Sequence, residues 1–245
     1  MTSIIGIRTN LGSDGIVVAS DRNIGEYDEK DAVIKLNLRK KIHFGDYWVM
    51  SHTGIITKSL SKFYGVLKGH KSCGSDDERA REIFENAVKN KYFREVNELN
   101  TAVMRNEEDI NSTLEFLLAV RLSKFGLWKV DAFGNLRASA DDSDFDYICM
   151  GSGSEFMESY INERISDGKI VSDGVKISSA VKIANDVMGS SEQDPGSGFG
   201  YDLAVLTKDG VRELGSGIRK AQMEGGLAKL TEIRQHYDSL ENEKD

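Results

Sequence analysis

The sequence predicts a layered α+β domain in which two mainly antiparallel sheets carry helices on their outer faces. Three observations lead there. Short β-rich runs come in pairs joined by hairpin-type turns, Leu11-Gly12-Ser13-Asp14-Gly15 and Gly45-Asp46. The order along the chain is strands, two helices, strands, two helices, strands and a last helix, with no regular βαβ alternation and no short-period repeat. No linker interrupts the 245 residues, which hold one proline, Pro195, and no Ser/Gly-rich spacer. We therefore expect one domain over residues 1–245, with a C-terminal helical extension at about 217–245.

Residues 3–9 are rich in β-branched side chains, and Gly15-Ile16-Val17-Val18-Ala19-Ser20 is a short apolar run, so both read as strands. Two more strands follow at about 41–45 and 47–53. A helix is expected from about residue 55, where Leu60, Phe63, Tyr64 and Leu67 recur at helical spacing. Gly69 to Ser75 break it. Ser75-Asp76-Asp77-Glu78 supplies a cap and first-turn acids for a second helix running toward Met104. Strands recur at about 114–122, 126–132 and 146–150, and helices at about 154–166 and 173–189. Two closing strands are expected at about 201–207 and 211–214, then a charged amphipathic helix at about 217–240.

Hydrophobic residues make up 39% and charged residues 29%, a balance that suits a globular chain able to bury a sizeable core. The net charge of −8 argues against a nucleic-acid surface, which needs a basic patch. No apolar run approaches the roughly 20 residues of a membrane span. Arg8 and Asn10 interrupt the first apolar run too early for a signal peptide. Cys73 and Cys149 are isolated, which fits a reducing cytoplasm rather than a disulfide framework. His43, His52, His70 and His236 lack ligand spacing, so no metal site is expected, and nothing calls for a cofactor. The acid-rich stretch Asp141 to Asp146 lacks the glycine and distal glutamate of a calcium loop and reads as a solvated hairpin. The expectation is a cytoplasmic protein that binds neither nucleic acid nor membrane.

Thr2 stands one residue from the amino terminus. A threonine with a free α-amine carries nucleophile and base in one residue, because the amine can take the hydroxyl proton. That amine titrates at about pH 7.7–8.0, near the range a general base needs at neutral pH. By itself Met1-Thr2 is an ordinary translation start. Four ordered segments add to it. They are Thr2-Ser3-Ile4-Ile5-Gly6 with Asp14-Gly15-Ile16-Val17-Val18-Ala19-Ser20-Asp21-Arg22; Lys40-Lys41-Ile42-His43 with His52-Thr53-Gly54; Met150-Gly151-Ser152-Gly153-Ser154; and Asp194-Pro195-Gly196-Ser197-Gly198-Phe199-Gly200-Tyr201-Asp202-Leu203-Ala204-Val205.

In order and approximate spacing this set resembles the proteasome β-subunit family of N-terminal-nucleophile hydrolases, over about residues 2–214. The resemblance implies a four-layer αββα sandwich. It also implies roles at the matching positions. Thr2 resembles the nucleophile, and Asp21 and Lys41 the acid and base beside it. An ammonium at Lys41 would favour the neutral form of the Thr2 amine. Gly54 resembles the residue whose N–H faces the oxyanion, where no side chain crowds the carbonyl. Ser152, Asp194 and Ser197 resemble the polar set that orients the Thr2 amine and hydroxyl.

The same residues admit plainer readings. Asp21-Arg22 can end a strand in a turn with a surface ion pair. Adjacent Lys40 and Lys41 point to opposite faces of a strand, so one is solvated. The family pattern selects Lys41, whereas a one-residue slip selects Lys40. Gly151-Ser152-Gly153-Ser154 can be a loop with a helix N-cap, and a cap and a site role can coexist. Gly196 to Gly200 lacks the preceding strand, the Gly-Lys-Ser/Thr ending and the following helix of a phosphate loop. Pro195 biases Asp194 toward an extended backbone, which suits a positioned residue and an inert turn alike.

Departures from the family pattern mark an outlying branch. Met1 alone precedes Thr2, so activity requires its removal. The first hairpin is about three residues longer than usual, His52-Thr53 replaces small apolar residues before Gly54, and the C-terminal helix is long. The leading expectation is a threonine-type endopeptidase acting on peptides or unfolded protein through an acyl-enzyme. Rivals are an amidase or peptide transferase on the same nucleophile, a non-catalytic assembly subunit that keeps Met1, and a small-molecule binding module. The resemblance implies a homo-oligomer, either a closed ring or an open helical stack. It names no ATPase or activator. Ile24, Arg39 and His52 fall near the expected lining of the specificity pocket, which points to acidic or polar substrate side chains.

Overall fold

Strand alternation lets each amino-terminal strand serve two layers at once. β1 (Ile4–Thr9) and β2 (Gly15–Asp21) are almost wholly buried. Their odd-numbered side chains Ile5, Ile7, Val17 and Ala19 join one apolar cluster, and the even-numbered Ile4, Ile16 and Val18 join another. Two faces of one sheet are therefore packed, and the sequence shows it as continuous apolar runs rather than a half-polar alternation.

The computed structural model describes residues 2–12, 14–27, 33–38, 41–53, 115–121, 124–130, 136–138, 146–170, 174–191 and 200–216. Besides β1 and β2 they form β3 (Asn23–Tyr27), β4 (Val33–Leu38), β5 (His43–Phe44), β6 (Trp48–Thr53), β7 (Glu115–Arg121), β8 (Phe125–Val130), β9 (Leu136–Ala138), β10 (Tyr147–Met150), β11 (Tyr201–Thr207) and β12 (Gly210–Ser216). Two helices, α1 (Ser154–Ser166) and α2 (Ile177–Ser190), complete the described elements. The first sheet has the order β10-β1-β2-β11-β12, the second β5-β6-β7-β8-β9, and β3 pairs with β4 alone. Every pairing is antiparallel, with Ile4 opposite both Ser20 and Met150, and Met50 opposite Leu118.

The two large sheets pack face to face. Ile4, Ile16, Val18, Ala204 and Leu206 of the first meet Val49, Leu117, Ala119 and Leu127 of the second. They come very close at Gly6, where an added Cβ would lie 2.7 Å from Leu127 Cδ1 and 2.9 Å from Leu117 Cδ1. On its other face the first sheet carries both helices. α1 buries Met157 and Ile161, and α2 buries Ile177, Ala180, Val181, Ala184, Val187 and Met188. The α2 set recurs at three- and four-residue spacing, which makes a single apolar stripe.

These layers correct the expected four-layer αββα sandwich. Among the described residues the molecule is mostly β, and both helices sit on the same side of the same sheet. The physical reason is that α1 and α2 follow β10 in the chain and direct their apolar stripes to Ile5, Ile7, Val17 and Ala19. No described helix covers the second sheet. The helices expected at about 55–67, 75–104 and 217–240 lie outside the described residues. The sequence reading also assigned no strand to 23–27, 33–38 or 136–138, where β3, β4 and β9 form. Among the described residues no helix is long and apolar enough to cross a membrane.

The close approach at Gly6 has a measurable consequence. Gly6→Val forces a branched side chain against Leu117 and Leu127, both buried in a close-packed layer. Urea denaturation should show a loss of about 1–3 kcal/mol, the range for overpacking. An unchanged midpoint would show that the two sheets can separate freely at this point.

Candidate active site

Three stretches of chain meet at one end of the sandwich. The backbone just before β1 continues the β1–β2 ladder, since Asp21 N–H donates to Ser3 O at 3.0 Å. This brings Thr2 and Asp21, the last residue of β2, together. Lys41 arrives from the other sheet, two residues before β5. Its Nζ donates to Thr2 Oγ1 at 2.8 Å and to Asp21 Oδ1 at 2.8 Å. All three residues are buried, Thr2 at 5%, Asp21 at 0% and Lys41 at 3% exposure.

A turn between β10 and α1 grips the Thr2 peptide from another side. Thr2 N–H donates to Ser152 Oγ at 3.1 Å, and Gly153 N–H donates to Thr2 O at 3.4 Å. Gly151 makes the grip possible. It has φ +90°, and a Cβ there would fall 2.0 Å from Thr2 O. The N-cap of α1 is Gly153, which makes no side-chain cap bond, and the Ser152 hydroxyl just before it accepts from Thr2 N–H.

Electrostatics at this point is governed by burial. Loss of water raises the Asp21 carboxyl above its ordinary value, opposed by the charge and hydrogen bond of Lys41. Burial likewise lowers the Lys41 ammonium, opposed by Asp21. The pair holds its charges through mutual contact, with Thr2 Oγ1 as the third partner of the ammonium. His52 stands next to this group. It is 3% exposed, and continuing the register of His43 with Met50 sets Lys41 opposite His52. Burial first, then the charges of His43 and Lys41, push the His52 imidazole down to about 3.

Of the residues singled out in the sequence, Thr2, Asp21, Lys41 and Ser152 come together. Gly54, Asp194 and Ser197 lie outside the described residues, as do Lys40 and Arg39. Lys41 reaches Thr2. Asp21 and Arg22 do not form the surface pair that a plain turn would give. Asp21 pairs with Lys41, and Arg22 with Asp202, a 1% exposed carboxylate of β11 whose Oδ2 lies 3.4 Å from Arg22 Nε. No role for Asp202 is expected from the sequence. Its signal is an acid placed next to the apolar run Leu203-Ala204-Val205-Leu206. Among the described residues no group of three or more His, Cys, Asp or Glu side chains could hold a metal ion.

No family model matches the chain, and no curated protein matches it in sequence. Solved structures do match. One is an Anbu (Gly-1) mutant from Hyphomicrobium sp. strain MC1, at a TM-score of 0.65 and 14% identity over 97% of this chain and 97% of that one. At that identity the likeness is one of fold.

His52 gives a pH test of the site's packing. The folded state holds His52 neutral down to about pH 3, while an unfolded histidine protonates below its ordinary 6.5. The unfolded chain then binds the extra proton, so this contribution is complete above pH 6.5 and is lost as pH falls toward 3. Between pH 7 and pH 5 wild-type stability should fall by about 2 kcal/mol more than that of His52→Gln, read from denaturant midpoints. Parallel curves would place His52 in contact with water.

Proposed function

We propose that the chain is a threonine-type N-terminal hydrolase that cleaves peptide bonds through an acyl-enzyme on Thr2. The observation that carries this reading is the contact of Lys41 Nζ with both Thr2 Oγ1 and Asp21 Oδ1, each at 2.8 Å, in a buried site. While Met1 is attached the Thr2 nitrogen is an amide and cannot act as a base. Cleavage of that bond frees an amine within the same residue as the hydroxyl.

In the proposed cycle Thr2 Oγ attacks the substrate carbonyl and the Thr2 amine takes its proton. Lys41, held charged by Asp21, donates to Oγ and favours both the neutral amine and the developing negative charge. Ser152 orients the freed amine; in the present geometry the Thr2 peptide N–H already donates to its hydroxyl at 3.1 Å. Gly54 N–H is assigned to the oxyanion, and Asp194 and Ser197 to the support of the amine, by resemblance to the family. The amine returns its proton to the leaving group. Water, activated in the same way, then releases the acyl-enzyme. Peptides or unfolded chains are the proposed substrates, and a homo-oligomer, ring or open stack, is the proposed assembly.

Two experiments test this. Intact mass should show Thr2 as the first residue of active protein, and Thr2→Ala should lower turnover of fluorogenic peptides by about three orders of magnitude or more. Turnover retained in that variant rules the nucleophile out. The pH profile of kcat/KM should rise with the deprotonation of the Thr2 amine. It should fall again below pH 10.5, because burial lowers Lys41 from that ordinary value and the ammonium is lost as pH rises through its own. A plateau that extends past pH 10.5 would remove Lys41 from the charged role.

A further inference from the structure

Arg22 occupies a position that the proposed chemistry does not use. The register sets Ile4 opposite Ser20, and the Asp21-to-Ser3 hydrogen bond extends it by one residue. One further step places Arg22 across from Thr2. Cross-strand neighbours of this kind have Cβ atoms about 4.5–5.5 Å apart, so Arg22 starts beside Thr2 while its Nε lies on the β11 side, toward Asp202. The backbone is fixed, since Arg22 N–H donates to Gly200 O at 3.1 Å.

The side chain is anchored at one edge only. Its Nε faces Asp202 Oδ2 at 3.4 Å, where Arg22 is 27% and Asp202 1% exposed at the side chain. A guanidinium offers five N–H donors in a planar fork, and a single carboxylate along one edge cannot use them all. Among the described residues Asp202 is the one ion-pair partner of the Arg22 side chain, and Nε makes no hydrogen bond to it. Asp202, by contrast, has further partners. The arrangement is a tethered cation with open donors beside the residue that would attack the substrate.

We infer that Arg22 is a specificity-determining residue that binds a substrate carboxylate within one residue of the scissile bond. The inference rests on the proposed role of Thr2 and names the substrate class for it. Arg suits the task because its fork pairs with a carboxylate in two parallel hydrogen bonds, which a neutral amide cannot match. The Lys41–Asp21 pair is internally neutral, and among the described residues Arg22 is a cation at this end with hydrogen-bonding capacity left for an anion.

The test compares three reporter peptides on the full-length processed protein. One has Glu before the scissile bond and an amidated end; one has Gln there and an amidated end; the third has Gln there and a free carboxylate one residue after the bond. kcat/KM should be about tenfold higher for one of the carboxylate peptides than for the neutral one, and which one identifies the source of the charge. In Arg22→Gln/Asp202→Asn, which neutralises both members of the pair, that ratio should collapse to about one. Because each ratio is taken within one preparation, a change in the folded fraction cancels. The same peptides, labelled, are also titrated onto Thr2→Ala by fluorescence anisotropy. An affinity preference for a carboxylate that Arg22→Gln/Asp202→Asn abolishes in the Thr2→Ala background supports the inference even where wild-type protein turns over nothing, an outcome that would refute the nucleophile and not Arg22. Equal binding of all three peptides, or a preference that survives removal of Arg22, overturns it.

Discussion

A lysine ammonium held in a nearly dry pocket between a carboxylate and a threonine hydroxyl sets the terms for much of this structure. Removing both charges of Lys41 and Asp21 from water costs several kcal/mol per ion, and their attraction offsets this only when the geometry is tight and the hydrogen bonds are made. Contacts of 2.8 Å from Lys41 to Asp21 Oδ1 and to Thr2 Oγ1 meet that condition on one side of the carboxylate, while Asp21 Oδ2 is buried with no hydrogen-bond partner among the described residues. They also impose a demand on the fold. Thr2 and Asp21 belong to the first sheet and Lys41 to the chain leading into the second, so the site exists only while the two sheets keep their spacing. Gly6 against Leu117 and Leu127 shows how close that packing is.

The layer between the sheets changes chemistry along its length. Val18, Val49 and Ala204 are apolar and fully buried in its middle. Two residues on toward the site, on the same strand faces, stand Ser20, Ser51 and Asp202, which are just as buried. A run of buried polar side chains at one end of an otherwise apolar seam is expensive unless hydrogen-bonded. It concentrates at the end where Thr2, Asp21 and Lys41 meet. His52 sits across from Lys41 as a neutral imidazole, which adds a polar neighbour without a competing positive charge.

Local pattern accounts for much of the architecture. β1, β2, β6, β7, β8, β10, β11 and β12 fall where β-branched runs and turn residues place them, and α1 and α2 lie close to their expected spans. The β3–β4 pair was missed, although Ile34-Lys35-Leu36-Asn37-Leu38 alternates as a strand should. The charged Glu29-Lys30-Asp31 just before it, residue types depleted in strands, obscures that short period. The layer count went wrong for a different reason. Amphipathic stripes say that a helix must cover something, but not which face of which sheet, and both described helices cover the same one.

The sequence by itself determined the residue types at the candidate site, the strands that carry them and the antiparallel character of the sheets. Those properties are local, set by side-chain alternation and turn chemistry. Tertiary structure alone decided the partnerships. It brought Lys41 to Thr2, set the Ser152 hydroxyl against the Thr2 N–H, and separated Asp21 from Arg22 so that each found a different partner. The reason is distance along the chain. Thr2 and Ser152 are 150 residues apart, and Lys41 and Thr2 are 39 apart, so only the packing of two sheets can bring them within hydrogen-bonding reach.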